Sequence, residues 1–263
     1  MSFNSSNHQA AESQDRQVMQ QHFYEEECDP EFEIERPHRC GRLYSFLIHH
    51  KFTLALDLLE ADVRDASMLE VCCGSGMMTE KFADAGAKVT GTDFSAAAIA
   101  RAKERARRYR FDASFAVADA QRLQYPDRSF DFAYVHDGLH HLEDPYAAIS
   151  EMARVAKVGV LIMDPAKAAL TALGVKLGIA EEVEEAGNEV KRLDPSRVAR
   201  HLQELSFRRI TWQRTLMYYQ HEPFRWFNWF EREPMFSIFR IAFAASNAFA
   251  GRWGNKLTLA AIR

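Results

Sequence analysis

Cysteine is scarce and poorly spaced for crosslinking. Among 263 residues there are four, and two of them, Cys72 and Cys73, are neighbours in the chain. That spacing supplies neither a disulfide framework nor a zinc ribbon, and it fits a reducing cytoplasm. Cys28, His38, Cys40, His49 and His50 form no C-x-x-C or H-x-x-x-H pair that would fix a coordination geometry, so no metal is expected. Charge of one sign is also lacking: the formal net charge is -4 with both signs interspersed. No bulk basic field draws such a chain to nucleic acid, and no nucleic-acid partner is expected. The basic stretch 101–110 reads as the solvated face of a helix. Residues 1–21 are polar, without the apolar centre of a signal peptide, and read as disordered or a frayed helix. The apolar stretch 235–250 holds Arg240 and Asn247 and is shorter than the roughly 20 residues of a membrane span.

What the chain does contain is most legible between residues 68 and 94. Residues 68–71 are a short apolar run, Gly74 and Gly76 permit a tight turn, and Met77, Met78, Phe82 and Ala85 follow at helical spacing. Residues 89–92 restart a strand that ends on Asp93. An acidic residue about 20 positions beyond a glycine turn is suited to accept hydrogen bonds from ribose hydroxyls, which points to a nucleoside ligand. A pyrophosphate turn wants a third glycine, where Thr79 stands instead. Glu70, at the strand end beside the turn, would repel a phosphate and suit a cationic amino group. Together these residues favour S-adenosylmethionine, with its ribose, adenine, ammonium and sulfonium, over a dinucleotide.

At these positions the chain resembles the class I S-adenosylmethionine-dependent methyltransferases, whose first motif is an acidic residue followed by G-x-G-x-G. Cys72 stands at the first glycine of that pattern. Downstream, Asp119-Ala120 resembles the family's adenine-contacting acidic motif, 130–135 its fourth strand, and 158–164 its fifth. Residues 139–144, Leu-His-His-Leu-Glu-Asp, match an L-H-H-x-x-D segment of small-molecule methyltransferases of this class. The resemblance covers about residues 66–165. It implies an α/β fold with a Rossmann-like doubly wound sheet of seven strands in the order 3-2-1-4-5-7-6, the last strand antiparallel. It also implies a helical cap over 22–60, a methyltransferase domain over 61–263, and insertions near 166–194 and 221–255. For the cofactor it implies Glu70 at the ammonium, Cys72, Gly74 and Gly76 in the loop, Asp93 at the ribose, and Phe94 against adenine. Asp119 and Ala120 would meet the adenine amino end, and His136 the methionine part.

Methyl transfer needs an acceptor placed opposite the sulfur and, for a hydroxyl acceptor, a base. In a doubly wound sheet that place lies beyond the carboxyl ends of the first and fourth strands, where residues 136–141 emerge. His140 and His141 are the candidate bases, because imidazole titrates near the working pH. Asp164 is placed to orient a histidine, and Asp137 to orient a histidine or hold a substrate amine. The expected activity is methylation of a small or lipid-like acceptor at oxygen, with nitrogen or carbon as alternatives, and a non-catalytic protein of the same fold as another. Asp194-Pro195-Ser196 opens a helix running through Leu205, 209–219 reads as a strand, and 256–262 as the last strand. Between these two strands lies an aromatic stretch that includes Phe224, Trp226, Trp229, Phe236, Phe243 and Trp253. It reads as core packing, as a hydrophobic substrate pocket, or as a peripheral contact with membrane or partner.

Overall fold

The structure, a computed structural model, describes Glu25 and residues 28–168, 191–217 and 225–263. The expectations for residues 1–21, for most of the 166–194 insertion and for the start of the aromatic stretch lie outside the described residues, as does the far end of the strand expected to reach Tyr219.

Seven strands form one sheet: β1 (Ser67–Val71), β2 (Lys88–Asp93), β3 (Ala113–Val117), β4 (Phe130–His136), β5 (Ala156–Pro165), β6 (Arg209–Thr215) and β7 (Lys256–Ile262). Their order is β3-β2-β1-β4-β5-β7-β6. The first five pair in parallel, and β7 runs antiparallel to both β5 and β6. Because helices cover both faces, the central strands are continuous apolar runs, and alternate residues serve opposite layers. Leu69, Val71, Val135 and Ile162 face α5 (Pro145–Val155) and α6 (Pro195–Glu204) in one buried cluster. Met68, Phe132, Tyr134 and Met163 face α2 (Arg42–Leu59) and α3 (Met77–Asp84) in the other. The sheet reverses direction of growth at β1, so the crevice between the carboxyl ends of β1 and β4 is where a ligand is accommodated.

Three helices begin the same way. In α1 (Pro30–Glu35), α5 and α6 an Asp-Pro pair supplies a side-chain cap and a first residue whose missing N–H costs nothing. Asp29, Asp144 and Asp194 each accept from two backbone N–H groups of the first turn, at 2.9 to 3.3 Å. Helix α1 falls within the helical cap expected over 22–60, but its six residues are too few to show a period, and the Asp29-Pro30 pair is its signal.

The reading of 101–110 as a solvated face needs correction. Within α4 (Ala96–Tyr109), Arg107 is exposed, but Arg101 is buried and Arg105 is wholly enclosed. The Arg105 guanidinium donates to Glu80 at 2.7 Å and to the Ile34 and Arg36 carbonyls at 2.9 and 2.5 Å. It therefore ties α1 and the turn after it to α3 and α4, because α1 lies across α4 and removes this arginine from water. His38 and Ser75 add two more ties, to Glu80 at 2.6 Å and to the Glu33 carbonyl at 2.7 Å.

Candidate active site

The loop after β1 depends on left-handed backbone. Cys72, Gly74 and Gly76 have φ of +53°, +52° and +78°. For a non-glycine residue this conformation costs roughly 1 kcal/mol, and Cys72 adopts it while resting against Gly138, where a β-carbon would lie 2.5 Å from the Cys72 Cβ. Burial pushes the Cys72 thiol far up, and the carboxylates of Asp93, Asp164, Asp119 and Glu70 add to the shift. The thiol is thus held in its neutral form, and the carboxylates of Asp93, Asp119 and Asp164 make its surroundings suit a cation. A β-carbon on Gly74 would meet nothing within 4 Å, so the backbone there stands open to a ligand.

Asp93 closes the end of β2. Its Oδ2 accepts from the Gly74 N–H at 2.9 Å and its Oδ1 from the Ser95 N–H at 3.0 Å. Burial raises its pKa, against the pull of these N–H groups. The Asp93 carbonyl in turn accepts from Ala118 at 2.9 Å, which draws the loop after β3 to the same edge. On that loop Asp119 is exposed and accepts from the Gln121 N–H at 2.8 Å, Ala120 is buried, and Phe94 is half-buried beside Asp93.

Glu70 faces the interior of the domain. Its Oε2 accepts from the hydroxyls of Thr79 and, at 3.0 Å, Tyr134. Burial raises its pKa to about 8, while these two hydroxyls oppose the rise. At neutral pH and without a cationic neighbour, Glu70 is therefore mostly a neutral acid.

Beyond the ends of β4 and β5, the Asp164 carboxylate organises the next loop. Its Oδ2 accepts from Gly138 and Leu139 N–H at 3.0 and 2.9 Å, and its Oδ1 lies 3.0 Å from His140 Nδ1. With Nδ1 donating to Asp164, neutral His140 has Nε2 as its proton-accepting nitrogen. The ring of His141 lies against that of His140, centroids 4.0 Å apart.

Asp137 adopts φ +46°, a conformation that short acidic side chains tolerate better than most. Its carboxylate meets Lys51 Nζ at 2.5 Å and Lys256 Nζ at 3.3 Å, joining α2, the β4 exit and β7. Burial alone would raise the Asp137 pKa, but these two cations hold it well below the usual carboxylate range. Lys51 is pushed down to about 8 by burial, with Asp137 opposing. His136 is kept neutral by burial and by the nearby Lys51, and its Nε2 lies 3.6 Å from Asp137. The sequence reading misses both lysines. Lys51 had a signal, since it shares the apolar stripe of Leu47, Ile48, Leu54 and Ala55; Lys256 had none, because strand pairing alone brings it here.

Contacts thus join the candidate residues along one edge of the sheet: Asp93 with Gly74, Cys72 with Gly138, and Asp164 with Gly138 and His140. Glu70 lies beneath this edge, inside the fold.

Comparison with known proteins agrees with this geometry. Residues 69–163 match the family described as Methyltransferase domain. The ubiquinone/menaquinone biosynthesis C-methyltransferase of Bdellovibrio bacteriovorus is 34% identical over 126 residues, covering 47% of this chain and 53% of that protein. The 27-O-demethylrifamycin SV methyltransferase of Amycolatopsis mediterranei is 34% identical over 134 residues, covering 47% and 46%. The chain therefore spans about half the length of these curated relatives. Among solved structures, magnesium protoporphyrin IX methyltransferase from Synechocystis with bound SAH superposes with a TM-score of 0.64 at 18% identity, over 94% of this chain and 99% of that one. Residues 69–163 thus carry a methyltransferase domain, set in the seven-stranded sheet of the Rossmann-like methyltransferase fold.

Proposed function

We propose that the protein transfers a methyl group from S-adenosylmethionine to an oxygen of a small, lipid-like acceptor, with a histidine as proton acceptor. The cofactor, when bound, supplies a methyl carbon already activated by a sulfonium, so the protein's work is binding, orientation and proton removal. One observation carries the cofactor reading. Three carboxylates, Asp93, Asp119 and Asp164, act on the loop at Cys72, Glu70 beneath it holds a proton that a docking cation would displace, and the backbone at Gly74 stands open beside them. Such a field favours a cationic ligand and disfavours a pyrophosphate.

In this reading Asp93 accepts from ribose hydroxyls, Phe94 and Ala120 flank adenine, and Asp119 takes the adenine amino group. Glu70 serves the ammonium end, and Cys72, Gly76 and His136 shape the methionine side. His140 takes the acceptor's proton at Nε2 while Asp164 orients the ring and stabilises its charged form; His141 packs behind it. Asp137, held by two lysines, positions the loop that presents these histidines. Two relatives, one named for C-methylation of quinone precursors and one for methylation of a rifamycin, support a small acceptor with some lipid character.

Carbon methylation is the second reading, and the Bdellovibrio relative's name supports it. Methyl-deuterated cofactor incubated with a panel of quinols, phenols and hydroxylated polyketides separates the two. A label retained on oxygen in the product's fragment ions supports the first, and a label on a ring carbon replaces it with the second. No labelled product, together with no cofactor binding, overturns both.

A further inference from the structure

Helix α7 (Met235–Ala250) is unusual for its outward side. One face is turned inward: Phe243 clusters with Leu47 of α2 and Met217, with Phe46 and Phe239 packed alongside. On the opposite face, helical spacing aligns Ile238, Ile241, Ala242, Ala245 and Phe249, all exposed and all apolar. Ile238, Ile241 and Phe249 retain 50%, 70% and 83% of their free surface. A surface helix of a globular protein ordinarily carries polar side chains there; one that is apolar on both faces is covered by something.

The chemistry around the stripe says what. From residue 234 onward there is no Asp or Glu, in a chain whose net charge is -4; of the cations there, Lys256 faces Asp137 and Arg263 the Ala153 carbonyl, Arg240 lies over the Phe46 ring, and Arg252 stands just beyond the end of the helix. The nearest acids, Glu231 and Glu233, engage α2: Glu231 accepts from the Leu43 N–H at 3.3 Å, and Glu233 pairs with Arg42 at 3.0 Å. Exposed tryptophans mark the two ends, Trp229 at 73% and Trp253 at 49%, with the Arg252 guanidinium 4.0 Å over the Trp253 ring. An apolar stripe free of acids, an arginine at its end and tryptophans at its limits are the features of a helix lying in a bilayer interface. No described helix is long and apolar enough to cross a membrane. A second protein copy is a poorer fit to the area. The stripe from Ile238 to Phe249, about 17 Å long and about 10 Å wide, offers on the order of 170 Å², against roughly 800 Å² per partner in a stable interface.

We propose that α7 docks the protein on an anionic lipid bilayer, with Ile238, Ile241 and Phe249 inserted among the acyl chains and Arg252 with Trp253 at the headgroups. Beside the stripe an open groove of about 740 Å³, lined by Phe46, His50, Phe243, Ala244 and Ala248, separates α7 from α2 and β6. The helix that forms its other wall is the one that delivers Lys51 to the candidate active site. A protein seated this way holds its cap helix next to the lipid surface. The inference rests on α7 alone and is independent of the chemistry proposed for the site.

Sedimentation with vesicles tests it, without cofactor or acceptor. The full chain should pellet with vesicles of equal parts phosphatidylcholine and phosphatidylglycerol, and less with phosphatidylcholine alone. The double variant Ile241→Glu/Phe249→Glu, altered only at exposed positions, should partition at least about tenfold less, with the same melting temperature and the same mass by light scattering. Wild-type protein left in the supernatant with anionic vesicles overturns the proposal, as does a double variant that pellets like wild type. Equal binding to both vesicle types removes the anionic-lipid assignment. A wild-type dimer that the double variant splits, without vesicle binding, assigns the stripe to a second copy instead.

Discussion

Cofactor binding at this site should release a proton, and Glu70 should be its source. Burial holds the Glu70 carboxyl at a pKa of about 8 in the cofactor-free protein. At pH 7 roughly nine molecules in ten then carry the proton. An ammonium docking against Glu70 favours the carboxylate and returns its pKa toward the ordinary range, so on the order of 0.9 proton leaves per ligand bound at pH 7. Calorimetry with S-adenosylhomocysteine in phosphate and in Tris reads this directly, because buffers of different ionisation enthalpy give different heats in proportion to the protons released. Glu70→Gln keeps the shape and an acceptor for Thr79 and Tyr134, but has no proton to lose. The variant should therefore lack the wild-type buffer dependence, and at pH 9, where wild-type Glu70 is already ionised, the difference between the two should nearly vanish. Equal proton release by both proteins at pH 7 refutes the reasoning.

The same pKa fixes a stability trend in the cofactor-free protein. A carboxyl whose folded pKa lies above its unfolded value stabilises the fold fully below the unfolded pKa, and that contribution is lost as pH rises through the folded pKa. For Glu70 the window runs from 4.5 to about 8, at roughly 1.4 kcal/mol per pH unit. Denaturant melts across this window should fall more steeply for wild type than for Glu70→Gln.

Three further outcomes are expected. Arg105→Ala strips Glu80 and the Ile34 and Arg36 carbonyls of their buried donor, so it should cost about 3 kcal/mol or more and speed proteolysis within residues 28–41; unchanged melting and cleavage would contradict the cap tie. Asp137→Asn removes the carboxylate that Lys51 and Lys256 both contact and should destabilise by about 3 kcal/mol, while adding Lys51→Met should recover much of the loss in urea titrations. His140→Gln should slow methyl transfer by on the order of a hundredfold to ten-thousandfold while leaving cofactor affinity within about twofold of wild type; a parallel loss of affinity would make His140 a binding residue and not the base.

Much of the fold was legible because it is written in local signals. Alternation of apolar runs with helical spacing marks β1 to β5, and the Asp-Pro pair marks α6. The same Asp-Pro chemistry at residue 29 went unread because α1 is too short to show a period. The cofactor edge was legible where backbone conformation demands a residue type, as at Gly74 and Gly76, or where a strand ends on an acid, as at Asp93. What sequence did not convey depends on packing between distant segments. Arg105 reads as one more surface arginine until α1 lies over it, and Lys256 belongs to the site only because β7 enters the sheet beside β5. Glu70 is the instructive middle case: its position at the β1 end was readable, but the inward side chain and the hydroxyls of Thr79 and Tyr134 were not. Cys72 adopts a left-handed backbone at the position of the motif's first glycine, and Gly138 provides the room for its side chain.

The central claim is that a cationic nucleoside cofactor binds against the Gly74 loop and the Asp93 that is hydrogen-bonded to it. Titration calorimetry of the full chain with S-adenosylmethionine, beside Asp93→Ala and beside NADH as the competing nucleoside, tests it most directly. The account requires saturable one-to-one binding of S-adenosylmethionine by wild type, a loss of at least about a hundredfold in Asp93→Ala, and no binding of NADH. Absence of S-adenosylmethionine binding by wild type, or affinity untouched by Asp93→Ala in a variant that still melts cooperatively, would contradict it.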